Sequence, residues 1–165
     1  MIVLGIDPGL AATGYGVVRA GASGMAALGG GVVRTQAGAS DERRLLDLHE
    51  AAGALIDEYS PDVVALERLF FNRNVSSAIA VGQARGVVLL AAGQAAVPCS
   101  SYTPQQIKAA VCGSGAADKE QVARMVKALL ALAAVPASDH AADAFAAAIC
   151  HLNRAPLAAA LASAR

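Results

Sequence analysis

Three carboxylates stand where hydrophobic patterning does not account for them. Asp7 closes the apolar run Ile2-Val3-Leu4-Gly5-Ile6 and precedes Pro8-Gly9. Glu67 closes a second run, Val63-Val64-Ala65-Leu66. Asp143 sits inside an alanine-rich segment, among Ala141, Ala142, Ala144 and Ala146. A carboxylate beside residues destined for burial is costly unless it is hydrogen-bonded, paired or bound to a cation. Any one of the three reads equally well as a capped or paired acid. All three together ask for a common cause. Strands that end in acids can meet at one sheet edge, and a helix laid over that edge can add another. Such an oxygen-rich cluster suits Mg²⁺ or Mn²⁺ rather than a soft metal. Two such ions about 3.5–4 Å apart activate water and stabilise the leaving oxygen in phosphodiester cleavage.

The elements that must position these groups follow from periodicity and punctuation. Residues 2–6 read as a buried strand before a turn, residues 14–19 as a second strand, and residues 25–34 as a third, joined by glycine-rich connections in an antiparallel meander. Ser40 is placed to cap a helix with Asp41 and Glu42 in its first turn. Leu45, Leu48, Ala52, Leu55, Ile56 and Tyr59 then recur at helical spacing until Pro61. Residues 63–66 form a fourth strand, which suits a parallel crossover. Residues 68–74 are a loop, and 75–96 a helix apolar on nearly all sides, so it must be covered on more than one side, by a second subunit or wholly within the fold. Residues 99–102 are a fifth strand. Thr103-Pro104-Gln105-Gln106 is a helix start with a capping box, broken by Gly113-Ser114-Gly115. A further helix spans 118–134 before Pro136, and Ser138 opens a last one through about Asn153. The expected order is β-β-β-α-β-α-β-α-α-α.

Composition sets the outer limits. The chain has 165 residues, 56% hydrophobic and 16% charged, enough for one domain with a core. The opening run is cut short by Asp7, so it does not read as a signal-peptide core. No stretch reads as a membrane span, so a cytoplasmic location is expected. Cys99, Cys112 and Cys150 are odd in number and widely spaced, which suits buried free thiols better than disulfides or a metal site. Net charge is zero, which disfavours indiscriminate nucleic-acid binding. The distribution is uneven, however. Nine of the thirteen acids lie in residues 1–67, and none between Arg68 and Ala117, where Arg68, Arg73, Arg85 and Lys108 fall. A neutral chain can thereby show one basic face to phosphates, although an alanine-rich segment can produce the same bias by chance.

Ile6-Asp7-Pro8-Gly9-Leu10 with Thr13-Gly14-Tyr15-Gly16 opens a series of motif blocks, followed by Leu66-Glu67-Arg68-Leu69-Phe70 with Asn74. The series continues through Ala80-Val81-Gly82-Gln83-Ala84-Arg85-Gly86, Thr103-Pro104-Gln105-Gln106-Ile107-Lys108 and Val111-Cys112-Gly113-Ser114-Gly115-Ala116-Ala117-Asp118-Lys119, to Asp139-His140-Ala141-Ala142-Asp143-Ala144. In these blocks, which run in family order over nearly the whole chain, the sequence resembles the RuvC family of Holliday-junction resolvases. The first alone is weak, because actin-like ATPases and other ribonuclease-H-like enzymes open similarly.

The resemblance implies an α/β, ribonuclease-H-like fold: a five-stranded mixed sheet with three antiparallel strands, flanked by helices on both faces. Residues 1–155 would be one nuclease domain and 156–165 a short tail. It implies a Mg²⁺-dependent crossover junction endodeoxyribonuclease, with Mn²⁺ as the other usable ion and two ions per site. It further implies a homodimer making paired symmetric cuts in recombination and repair, beside the RuvA–RuvB branch-migration complex. Asp7, Glu67 and Asp143 match family catalytic acids. The remaining position, usually Asp, falls on His140, with Asp139 as its alternate; these lie at i−3 and i−4 from Asp143, so either can share its face. Phe70 matches a loop aromatic that stacks on bases, although such a residue by itself reads as core. Arg73 and Asn74 are candidates for DNA-backbone contacts, and Lys108 and Lys119 for phosphate contacts at the cleft, although each lysine alone reads as a solvated charge. Arg85 either binds phosphate or holds the glutamate loop.

Two rivals remain at the level of sequence. Gly9, Gly14 and Gly16 could cradle phosphate in an actin-like ATPase, but that design needs two such domains and the length suits one. A non-catalytic or weakly active junction-binding protein of the same fold is the other, kept open by His140.

Overall fold

A computed structural model describes residues 1–22, 24–68 and 75–163 of the chain. The elements run β1 (Ile2–Asp7), β2 (Ala12–Gly21), β3 (Gly24–Arg34), α1 (Asp41–Tyr59), β4 (Val63–Glu67), α2 (Val75–Gln94), β5 (Cys99–Tyr102), α3 (Pro104–Cys112), α4 (Lys119–Leu129) and α5 (Asp139–Ser163). The sheet order is β3-β2-β1-β4-β5. β1, β2 and β3 pair antiparallel, whereas β4 lies parallel to β1 and β5 parallel to β4. The meander, the crossover and the mixed five-stranded sheet are those expected from the sequence.

Alternation along each strand sends side chains to two separate cores. Val3, Val18 and Ala65 pack with Ile107, Val111, Val122, Val126, Phe145 and Ile149 beneath α3, α4 and α5. Leu4, Ile6, Val17, Val64 and Leu66 pack on the opposite face with Ala52 and Ile56 of α1 and Val88 and Ala91 of α2. Each fully buried Val, Leu or Ile contributes about 1.5–3 kcal/mol, so the two apolar layers hold the sheet between helices.

The central helix α5 lies unusually close to the sheet. A Cβ at Gly5 would strike the Ala144 carbonyl oxygen, and one at Gly14 the His140 carbonyl oxygen. Both strand positions must lack a side chain for α5 to rest where it does. These glycines fix the helix over β1 and β2.

Several boundaries differ from expectation, for physical reasons. α4 stops at Leu129 rather than Ala134, well before Pro136. Ala131 takes a left-handed conformation at φ 49°, while the Leu132 N–H donates to Lys127 O and the Ala131 N–H to Ala128 O. This is a Schellman closure built on alanine instead of glycine. α2 ends the same way: Ala96 is at φ 55°, with Val97 N–H donating to Ala92 O and Ala96 N–H to Gly93 O. α5 continues past Asn153 to Ser163, into the segment read as a tail, where alanine and leucine sustain helix. Ser40 occupies the N-cap of α1, but its side chain makes no capping bond. Thr103 does form the anticipated capping box with Gln106.

One further expectation needs correction, and one open alternative is narrowed. The cysteines are all free, but only Cys150 is buried; Cys99 is exposed and Cys112 half-buried. α2 is not wholly internal. Ala84, Val88, Ala91 and Ala92 face the core, while Ile79 and Leu90 are 57% and 56% exposed.

Candidate active site

β1 and β4 are parallel neighbours at the middle of the sheet, with Ile6 opposite Leu66. Asp7 and Glu67, one residue further along, therefore end adjacent strands side by side. Alternation puts both on the α5 face, since Ile6 and Leu66 belong to the opposite core. The turn after Asp7 is pinned from within. Thr13, only 2% exposed, donates its hydroxyl to Gly9 O at 2.8 Å and accepts from Gly9 N–H at 3.2 Å.

α5 brings its first turn over this edge. Gly14 pairs with Asp7 across β1 and β2, and its missing side chain is what admits the His140 backbone. His140 Nδ1 lies 2.6 Å from Asp7 Oδ2. Asp143 follows one turn later, with its side chain 31% exposed. Lys119, first residue of α4, points its ammonium between Asp143 Oδ2 at 3.9 Å and Asp139 Oδ2 at 3.8 Å.

Electrostatics show that the acids share one space. Burial first, then the charges of Asp7 and Asp143, push Glu67 up to about 7; Lys119 and Lys108 pull the other way. Asp143 is raised by burial and then by Asp7, against the opposing pull of Lys119. Excess negative charge is thus concentrated in a half-buried cleft with two ammonium groups beside it.

These donors fit a hard divalent cation: carboxylates from two strands and a helix, plus one imidazole, in a cleft short of positive charge. Among the described residues, no three His, Cys, Asp or Glu side chains are already gathered into a cage. Asp7 is engaged by His140, and Asp143 by Lys119. A cation at these carboxylates would compete with both contacts.

The candidate residues separate by position. Asp7, Glu67, His140 and Asp143 converge, with Lys108 and Lys119 near them. Asp139 faces Lys119 from the rim, its side chain 80% exposed, while its neighbour His140 reaches Asp7. Arg85 lies on the α2 face of the sheet, away from the acids, and donates to Ser101 Oγ at 2.7 Å. Phe70, Arg73 and Asn74 lie outside the described residues. The reading from sequence missed Thr13 and Gly14 as supports of Asp7. A threonine beside a double-glycine strand was the only signal.

A family profile for the crossover junction endodeoxyribonuclease RuvC matches residues 3–151. This chain belongs to the RuvC family. The RuvC crossover junction endodeoxyribonuclease of Moorella thermoacetica is 50% identical over 156 residues, covering 94% of this chain and 93% of its own. That of Thermomicrobium roseum is 53% identical over 153 residues, covering 93% of each. Thermus thermophilus RuvC superposes with a TM-score of 0.88 at 40% identity, over 96% of this chain and 97% of that one. T. thermophilus RuvC in complex with Holliday junction substrate gives a TM-score of 0.87 at 37% identity, over 95% and 96%. The yeast mitochondrial Holliday junction resolvase, at 15% identity and TM-score 0.65, shares the fold. The family is one of endonucleases on a five-stranded ribonuclease-H-like sheet, as the sequence resemblance implied. No helix among the described residues is long and apolar enough to cross a membrane.

Proposed function

We propose that this RuvC-family chain resolves four-way DNA junctions by metal-dependent hydrolysis, with Asp7, Glu67, His140 and Asp143 as its catalytic group. The observation that carries this reading is the meeting of Asp7 and Glu67 at one sheet edge beneath His140 and Asp143. Mg²⁺, or Mn²⁺, in a pair held by these four side chains would supply an activated water and charge stabilisation at the leaving oxygen. His140 in place of a fourth carboxylate removes one negative charge and shifts the donor set toward Mn²⁺.

The protein's own residues bind and orient the strand. Lys108 and Lys119 hold phosphates beside the acids, and Lys119 turns from Asp143 to the DNA when the carboxylates are neutralised. Phe70, Arg73 and Asn74, which follow Glu67 in the sequence, are assigned contacts to bases and backbone by the family resemblance alone. Arg85 acts indirectly, by tying α2 to β5 through Ser101.

The exposed stripe of α2 through Ile79, Gly86 and Leu90 supports a homodimer in which two such helices pack together. Two sites related by a two-fold axis suit paired cuts on opposing strands. Cooperation with RuvA–RuvB, in the cytoplasm, accords with family membership.

The test is a synthetic four-way junction with Mg²⁺ or Mn²⁺. Paired nicks on opposing strands are expected, with linear duplex spared. Asp7→Asn should bind the junction and leave it uncut, with cutting reduced by on the order of 10³-fold or more. Undiminished cutting by that variant removes Asp7 from the site.

A further inference from the structure

We propose that Tyr102 and His151 form a polar strut that sets the separation of Glu67 from Asp143, making both of them positioning residues for the carboxylate site. This rests on the catalytic reading above.

α5 is held to the two halves of the sheet by different means. Over β1 and β2 it rests on glycine, backbone against backbone, at Gly5 and Gly14. β4 and β5 contain no glycine. On that side the sheet reaches α5 through side chains, and the outermost of these is Tyr102. The distance from Asp7 to His140 is therefore set by the backbone. The separation of Glu67 from Asp143 falls in the half where side chains, Ala65 of β4 and Tyr102 of β5, lie between sheet and helix.

Tyr102 is tied to Glu67 twice over. The two residues are opposite each other in the β4–β5 register, so their side chains share one face. The Arg68 N–H, immediately after Glu67, donates to Tyr102 O at 2.7 Å. At its other end the Tyr102 hydroxyl lies 2.7 Å from His151 Nδ1, across 49 residues of sequence, with the rings edge to face. His151 is on α5, eight residues beyond Asp143 and thus about 12 Å along the same rigid helix. His151 is 7% exposed; it and Thr13 are the buried polar side chains among the described residues. Burial disfavours its charged form, and with the hydrogen of the neutral ring on Nε2 the phenol donates to Nδ1. A polar pair with its histidine buried favours one geometry, because losing the Tyr102 hydroxyl leaves the His151 ring without this partner.

Mn²⁺ alone, titrated into the intact protein and followed by the electron paramagnetic resonance of the free ion, tests the strut without any cutting. Tyr102→Phe keeps the ring and removes only the hydroxyl. It should weaken Mn²⁺ binding by on the order of 10-fold, as loss of an outer support does. Its affinity for a four-way junction in metal-free buffer should be unchanged. His151→Asn, whose amide reaches the Nδ1 position, should restore near-normal Mn²⁺ affinity, while His151→Leu should match Tyr102→Phe. A purely structural bond would lower the melting temperature and leave the Mn²⁺ dissociation constant alone; that result overturns the proposal. Should Tyr102→Phe lose junction binding, the comparison moves to His151→Asn against His151→Gln, whose amide falls nearer Nε2. Equal Mn²⁺ affinity in that pair overturns it as well. If the unaltered protein takes up no Mn²⁺ that Asp7→Asn abolishes, the catalytic reading itself fails. If it does, and Tyr102→Phe binds Mn²⁺ equally well, only the strut is lost.

Discussion

At the residue scale the site is a problem of unbalanced charge. Glu67 holds its proton to about 7 instead of 4.5, because burial and the neighbouring Asp7 and Asp143 penalise its anion. The raised value has a definite sign. The folded chain binds this proton more tightly than the unfolded chain does. The resulting stabilisation is complete below about 4.5 and is lost as pH rises through about 7. In chelator, Glu67→Gln should therefore gain melting temperature relative to the unaltered protein at pH 8, and gain less at pH 5. A gap that does not widen with pH would mean that Glu67 ionises without strain. A divalent cation should close the gap, because it compensates the charge that the Gln variant lacks. The acids at strand ends were legible in the sequence, because Asp7 and Glu67 interrupt runs that otherwise specify burial. Whether Asp139 or His140 would reach them was not. Helical spacing allows both, and the outcome turned on Gly14 letting the His140 backbone settle against β2. The partnership of Tyr102 with His151 was invisible for a related reason: only the folded chain joins residues so far apart.

At the element scale, strands and helix starts carried clear signals, and helix ends did not. Thr103 with Pro104 and Gln106 announces a start through its own hydrogen bonds. The ends of α2 and α4 use Ala96 and Ala131 in the left-handed region, where glycine would have marked the stop. In a chain this rich in alanine, the residue that extends a helix also terminates it. A left-handed alanine costs roughly 1–2 kcal/mol, partly offset by the freer unfolded chain that glycine would bring. Ala131→Gly should accordingly stabilise the protein by about 0.5–1 kcal/mol in urea unfolding. A loss of stability would mean that Ala131 is not held in that conformation in solution. Arg85 illustrates a different limit. Its block marks the family, but the face of α2 that it occupies depends on which side of that helix meets the sheet, and an all-apolar helix does not declare this.

At the scale of the whole molecule, zero net charge conceals a division of labour. The acids of the first sixty-seven residues and the acid-free stretch that follows place a carboxylate cleft and basic groups in one chain. The stripe on α2 adds the second feature, two large apolar side chains, Ile79 and Leu90, that are more than half exposed. Sedimentation should give a mass twice the 16.5 kDa of the chain. Leu90→Glu should shift it to the monomer and replace paired cuts with single, uncoordinated nicks. A dimer that survives Leu90→Glu together with Ile79→Glu would place the interface elsewhere.

The most direct measurement is a crystal of the protein grown with Mn²⁺ and a four-way junction, with the ion located by its anomalous scattering. Peaks should lie in contact with Asp7, Glu67, His140 and Asp143, with Lys119 turned away from Asp143. An ordered junction in the cleft with Mn²⁺ bound only elsewhere, and the Asp7–His140 and Lys119–Asp143 contacts intact, would exclude these four side chains as the metal site.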